Sequence, residues 1–262
     1  MGSYDARTGA MVSRGFGTRV RSAPMDEDER MARLLSGLAS DVKYATGERR
    51  FRGTVSADDA AEIAEALARE LDAGTEARAR AAAKQRFRIA CERGCSACCE
   101  ELVVVFLPEA LAVARWLGSP ANALAKEAFL AAYPRWRDAA GDEPDRIAEL
   151  ARQGADREAY EAAHRAFWRR RILCAFNQNG ECTIYPVRPL VCRDAHAIGT
   201  ADRCVGSSPI PAERLTFAPI TEFMSNAALL LHATHNAIAG AERHRSVALC
   251  TLVYQLLTEP EQ

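Results

Sequence analysis

The sequence has no apolar run of about 18 residues or more, the length that a bilayer-spanning helix needs, and so no helical membrane span is expected. Its first residues also lack the apolar segment, about 7 to 15 residues long, that a secretory leader carries. The chain is therefore expected to be cytoplasmic. Net charge is nearly absent as well: 34 Lys and Arg stand against 35 Asp and Glu, a formal −1. With no field over the whole surface to draw nucleic acid or an anionic membrane, such a partner needs a local patch. Also missing are a Gly-x-Ser-x-Gly elbow, a phosphate loop and a Rossmann glycine pattern, so the common enzyme signatures give no assignment of a reaction. No internal repeat or low-complexity linker interrupts residues 26–262.

What is present is enough for a sizeable core, 262 residues of which 48% are hydrophobic. Residues 1–25 hold Arg7, Arg14, Arg19 and Arg21 against a single acid, Asp5, and read as a disordered tail. From Asp26 to Val42 the spacing of Met31, Leu34, Leu35 and Leu38 predicts a short amphipathic helix. Ser56 is a suitable N-cap, and Ile63, Ala64, Leu67 and Leu71 form the apolar stripe of a helix reaching about Arg88, with Gly74 a point where it breaks in two. Further helices are expected from Pro108 to Leu117, Ser119 to Asp138, from Glu143, Asp156 to Arg171, beyond Pro219, and from Val247 to Leu257.

Two segments have a different texture. Leu102–Leu107 is β-branched and stopped by Pro108, as a buried strand would be. Residues 172–185 flank Asn179-Gly180, the signal of a tight hairpin. The fold class expected is mainly α with a small β element, a single domain over 26–262 around a cysteine-lined metal centre.

Nine cysteines carry the chemistry. In a reducing compartment they do not form a disulfide framework, which leaves metal binding or redox chemistry. Cys91, Cys95, Cys98 and Cys99 crowd into nine residues, with Gly94 allowing the backbone to turn between them. Cys174, Cys182, Cys192 and Cys204 are spread more widely and converge only through the fold. Thiolates are soft ligands suited to zinc and to iron–sulfur clusters, and the metal's charge is what makes several of them tolerable together. Eight thiols suffice for two closed four-cysteine sites. Arg93, Arg188 and Arg193 stand near these positions and are candidate donors to sulfur. Tyr185-Pro186-Val187-Arg188-Pro189 stiffens the stretch between Cys182 and Cys192. Cys250 lies among Val247, Ala248, Leu249 and Leu252 and reads as a buried hydrophobe.

These residues resemble the YkgJ-type CxxCxxCC cysteine-cluster family of zinc- or iron-chelating domains. The likeness lies in Cys91-Glu-Arg-Gly-Cys95-Ser-Ala-Cys98-Cys99 with the apolar stretch to Pro108-Glu109-Ala110, and in Cys174 through Gly180-Glu-Cys182-Thr-Ile-Tyr-Pro-Val-Arg-Pro-Leu-Val-Cys192-Arg193 to Cys204. It covers the cysteine core at 88–206. One departure is the three-residue gap between Cys91 and Cys95, where the family pattern has two. The resemblance implies chelation of zinc or iron. Relatives of the cluster occur in flagellin lysine methylases, where an iron–sulfur centre is implicated, so an iron–sulfur-dependent enzyme such as a protein methyltransferase is the alternative it brings.

Three other readings compete. Cys91, Cys95 and Cys98 have the C-x3-C-x2-C spacing of radical S-adenosylmethionine enzymes, but about ninety helix-leaning residues precede them and no strand–helix alternation follows. A nucleic-acid-binding zinc ribbon wants paired knuckles that the second segment lacks, and the basic run Arg165, Arg169, Arg170, Arg171 reads as a solvated helix face. A thiol redox switch would cycle Cys98 and Cys99, or Cys95 and Cys98, through a disulfide. His196, His232 and His235 read as packing or interface groups rather than ligands.

Overall fold

The computed structural model describes residues 2–5, 10–13, 20–22, 55–92, 94–152, 157–210, 212–216, 218–238 and 248–259. Most of the expected tail, the expected helix from Asp26 to Val42, and Arg93 lie outside them. The described chain is mainly α-helical with small β elements. Three short strands fall in the first part, β1 Gly2–Asp5 paired antiparallel with β2 Ala10–Ser13, and β3 Val20–Ser22, which runs parallel to β6 Arg214–Thr216.

Helix α1, Ala57–Lys84, starts where its cap dictates: Ser56 Oγ accepts from the Asp59 N–H at 3.0 Å, and Asp58 and Asp59 meet the positive end of the helix. It runs through Gly74 unbroken. The cost of one helical glycine, about 1 kcal/mol, is outweighed by a stripe that buries Ile63, Leu67, Leu71, Ala77 and Ala81 along the whole length. Helix α2, Leu107–Gly118, lies against it and has Pro108 in its first turn. Then come α3 Ala123–Ala140, α4 Glu143–Arg152, α5 Arg157–Arg169, the single turn α6 Leu190–Asp194, α7 Ala218–Ala237 and α8 Leu249–Thr258.

Two cores meet at α2. Ala112 joins Leu67, Leu71, Phe223 and Leu231, between α1 and α7. Ala110, Val113 and Leu117 join Phe129, Phe176 and Leu252 on the other side. The Phe129 and Phe176 rings stack with centroids 4.1 Å apart, and each such buried ring contributes about 1.5–3 kcal/mol.

The β content differs from expectation in two respects: β1, β2, β3 and β6 lie where the sequence predicts no strand, and the apolar run at 102–107 is not one. Residues 102–107 form no strand; Val104 makes a single antiparallel bridge to Ala248, and the Leu249 N–H donates to the Val103 carbonyl at 2.9 Å. Leu102, Val105 and Leu107 are buried, and the backbone is satisfied piecemeal, by the contacts with α8 and by Glu109 and His235, which accept from the Phe106 and Leu107 N–H groups. The hairpin is present but short, β4 Asn177–Gln178 against β5 Glu181–Cys182. Its turn residues Asn179 and Gly180 have φ of 53° and 88°, the left-handed pair that an Asn-Gly hairpin turn requires.

Candidate metal centre

The two cysteine segments are stitched together by backbone. Cys174 donates its N–H to the Cys99 carbonyl at 2.8 Å, and Ala90 donates to the Ala197 carbonyl at 2.8 Å. Ile89 and Ile198 form an antiparallel bridge, and Ala197 forms another with Arg214. Cys91 lies in this ladder, its Sγ accepting the Ala197 N–H at 3.1 Å. Cys98 and Cys99 lie in a short 3-10 turn, Ala97–Glu100, whose buried Glu100 accepts from Arg171 at 3.1 Å. Cys182 is in β5 and Cys192 in α6.

The thiols fall into two adjoining groups. Cys204 lies within electrostatic reach of Cys91, Cys98 and Cys95, with Arg214 beside them. Cys192 lies within reach of Cys98, Cys174 and Cys182, with Arg188 beside them. Cys98 belongs to both groups, and Cys99 reaches them through its hydrogen bond with Cys98. Every cysteine singled out from the sequence is thus drawn into one neighbourhood.

Cys250 joins them, which the sequence did not suggest: its Sγ lies 3.6 Å from Cys174 Sγ. It is also buried in the core, as expected. Helix α8 sets this position, anchored by the Leu249 bond to Val103 and by Tyr254 stacking on Tyr133 with centroids 3.9 Å apart.

Six of these thiols, Cys91, Cys98, Cys174, Cys182, Cys192 and Cys204, are pushed above the ordinary thiol range and so toward the neutral form. Burial pushes Cys182 up to about 11 and Cys204 up to about 12, and lifts Cys192 well above the ordinary thiol range. Cys98 is raised first by its hydrogen bond with Cys99 and then by burial, and Cys174 first by its bond with Cys250. Among the described residues, no three His, Cys, Asp or Glu side chains are already gathered as a ligand set for a metal ion. As thiols, Cys98 with Cys99 and Cys174 with Cys250 hydrogen-bond to each other instead. The donor set itself is the soft, sulfur-rich kind that zinc and iron–sulfur clusters take.

The arginines divide unexpectedly. Arg188 stacks on the Tyr185 ring at 3.8 Å and lies near Cys182 and Cys192, with a buried Nε that has no acceptor. Arg193 instead holds the backbone, donating to the carbonyls of Arg188 at 2.7 Å and Pro186 at 2.6 Å while its other nitrogen pairs with Asp72 of α1. Arg78, only 2% exposed, pairs with Asp194 at 2.6 Å and contacts His196 Nδ1. Burial and that guanidinium keep His196 neutral, lowering it to about 3. Glu109 spans two helix starts, accepting from the Phe106 N–H at 3.2 Å and the Leu190 N–H at 3.0 Å. His235 Nδ1 accepts the Leu107 N–H at 3.3 Å, and His232 lies 5.8 Å from the Phe106 ring. The basic run is also engaged: Arg170 donates to the Ala140 carbonyl at 2.9 Å at the end of α3, and Arg171 pairs with Glu100.

Beside this centre a cleft of about 250 Å³ opens between α1, α2 and the turn Pro186–Leu190, with Arg69, Trp116, Arg188 and Glu109 on its walls. Comparison of the chain with models of known families, with curated proteins and with solved structures finds no match. Among the described residues no helix is long and apolar enough to cross a membrane.

Proposed function

We propose that this is a cytoplasmic metal-binding protein that holds zinc or iron, the latter as an ion or an iron–sulfur cluster, on Cys91, Cys95, Cys98, Cys99, Cys174, Cys182, Cys192 and Cys204. The observation that carries the reading is the approach of thiols from two remote segments to a common neighbour, Cys98. Buried sulfur-rich surroundings of this kind are costly for bare thiolates and favourable for a cation that replaces their protons. Rotation of the Cys98, Cys99 and Cys174 side chains away from their thiol partners completes the ligand set. Arg188 and Arg214 then offset residual negative charge on the sulfurs.

The cleft supports a second reading, an iron–sulfur-dependent enzyme. Arg188 both lines the cleft and stands beside Cys182 and Cys192, so a small molecule bound there would lie next to the centre.

The test is elemental analysis with an absorption spectrum on the whole chain purified without oxygen. Colourless protein with one or two zinc ions per chain supports a closed structural site, and brown protein with iron and acid-labile sulfide supports a cluster, after which binding of S-adenosylmethionine in the cleft separates the enzymatic reading from a simple metal-binding one. Absence of metal as purified, with none retained after incubation with zinc or with iron and sulfide, overturns both.

A further inference from the structure

We propose that Cys174 and Cys250 form a reversible disulfide when the protein meets a peroxide, and that its formation withdraws Cys174 from the metal centre. The second half rests on the metal-binding reading; the first half does not. The two sulfurs already lie 3.6 Å apart, and closing to the roughly 2.05 Å of a disulfide needs side-chain rotation rather than a new fold. Each is held from its own side: Cys174 by its N–H bond to Cys99 at 2.8 Å, and Cys250 by the Leu249 bond to Val103 at 2.9 Å.

The other close pair is poorer. Cys98 and Cys99 are neighbours in sequence, and adjacent Cα atoms stand about 3.8 Å apart, short of the roughly 4.4–6.8 Å that a disulfide favours. Cys174 and Cys250 carry no such restriction, and exposure assigns their roles. Cys174 is the less buried of the two and meets the oxidant, while Cys250, 4% exposed, resolves the product. Because the Cys250 contact and burial raise the Cys174 thiol, the first step is slow and needs excess peroxide.

The chemistry balances in two displacements. The Cys174 thiol gives up its proton, the thiolate attacks one oxygen of hydrogen peroxide as the O–O bond breaks, and the departing oxygen takes up that proton to leave as water. Cys174 is then a sulfenic acid and the peroxide is reduced. The Cys250 sulfur displaces hydroxide from that sulfenic sulfur, its own proton completes a second water, and the S–S bond is made. A dithiol reductant reverses the step. Cys174 lies in the group with Cys98, Cys182 and Cys192, so its loss leaves three thiols there.

The experiment is peptide mapping of the full-length chain without reduction, after a peroxide pulse, with zinc release followed in parallel on zinc-loaded protein. The expected result is a Cys174–Cys250 crosslinked peptide as the main oxidation product, metal release that tracks it, and rebinding after dithiothreitol. Cys250→Ala should give no crosslink and leave Cys174 overoxidised, with rebinding lost. Crosslinks elsewhere, or sulfinic acid at Cys174 in the wild-type chain, overturn the inference, and the wild-type map decides this even if the variant does not fold. A crosslink in protein that binds no metal sinks the metal reading and the switch built on it while sustaining the disulfide. Protein that retains metal when loaded but gives no crosslink in its metal-free form sinks the disulfide alone.

Discussion

The Cys174 N–H donates to the carbonyl of Cys99 at 2.8 Å, so the last residue of the first cysteine cluster and the first residue of the second segment share one backbone hydrogen bond. That bond brings the Cys98 turn to the foot of the hairpin that carries Cys182. Because Cys98 stands near both thiol groups, Cys98→Ser is expected to remove more metal per chain than either Cys91→Ser or Cys182→Ser, each of which touches one group. Metal-to-protein ratios of the three variants, purified side by side, check this; equal losses from all three would point to one undivided centre.

Glu109 gives the fold a pH dependence. Burial raises its carboxyl to about 7, against the lowering effect of the Leu190 and Phe106 N–H groups and Arg193. The folded state then binds a proton more tightly than the unfolded chain, so stability from this group is full below about pH 4.5 and is lost as pH rises toward about 7. At about 1.4 kcal/mol per pH unit the loss over these roughly 2.5 units is at most about 3.5 kcal/mol. Glu109→Gln should flatten that slope, read as the difference between the two denaturant-unfolding curves at pH 5 and pH 8.

Arg78 and Asp194 form a nearly buried pair at 2.6 Å, with side chains 2% and 17% exposed. Arg78→Ala leaves a carboxylate without its partner and should cost about 3–5 kcal/mol. It should also lower metal retention, because the same arginine steadies the segment that follows Cys192. An Arg78→Met, Asp194→Leu double variant should recover part of the stability by thermal melting, since neither charge is then stranded.

The helices were legible because their signals are local. Ser56 with its acids, Pro108 at a helix start and Asn179-Gly180 in the hairpin each act within a turn of chain. Residues 102–107 misled because a buried β-branched run looks alike whether it pairs with a strand or lies beneath a helix. The cysteines announced themselves by density, but Cys250 did not: its approach to Cys174 depends on how α8 docks. Arg193 drew attention by standing next to Cys192, yet it holds the backbone. Arg214, ten residues past Cys204, takes the place beside the sulfurs. Asp72, Arg78 and Glu109 left a fainter signal, ionic residues in helices that otherwise turn apolar stripes inward.

Gly206 has no room for a side chain. A Cβ there would come 2.4 Å from the Trp168 carbonyl oxygen and 2.6 Å from its carbon, both backbone atoms at the end of α5. Gly206→Ala should therefore cost about 1–3 kcal/mol through overpacking and disturb Cys204 two residues away. Lower melting temperature together with weaker metal retention is the expected result.

The long helix Ala57–Lys84 grips the second cysteine segment at two places, Asp72 on Arg193 and Arg78 on Asp194. At about 1.5 Å of rise per residue these grips stand roughly 9 Å apart along its axis. On the segment side the two partners, Arg193 and Asp194, are consecutive, so both grips fasten the same turn, with the nearly buried Arg78 pair the stronger of the two. The amides of α6 should therefore exchange with solvent more slowly than an isolated single turn would, and loss of the Arg78 grip should speed that exchange.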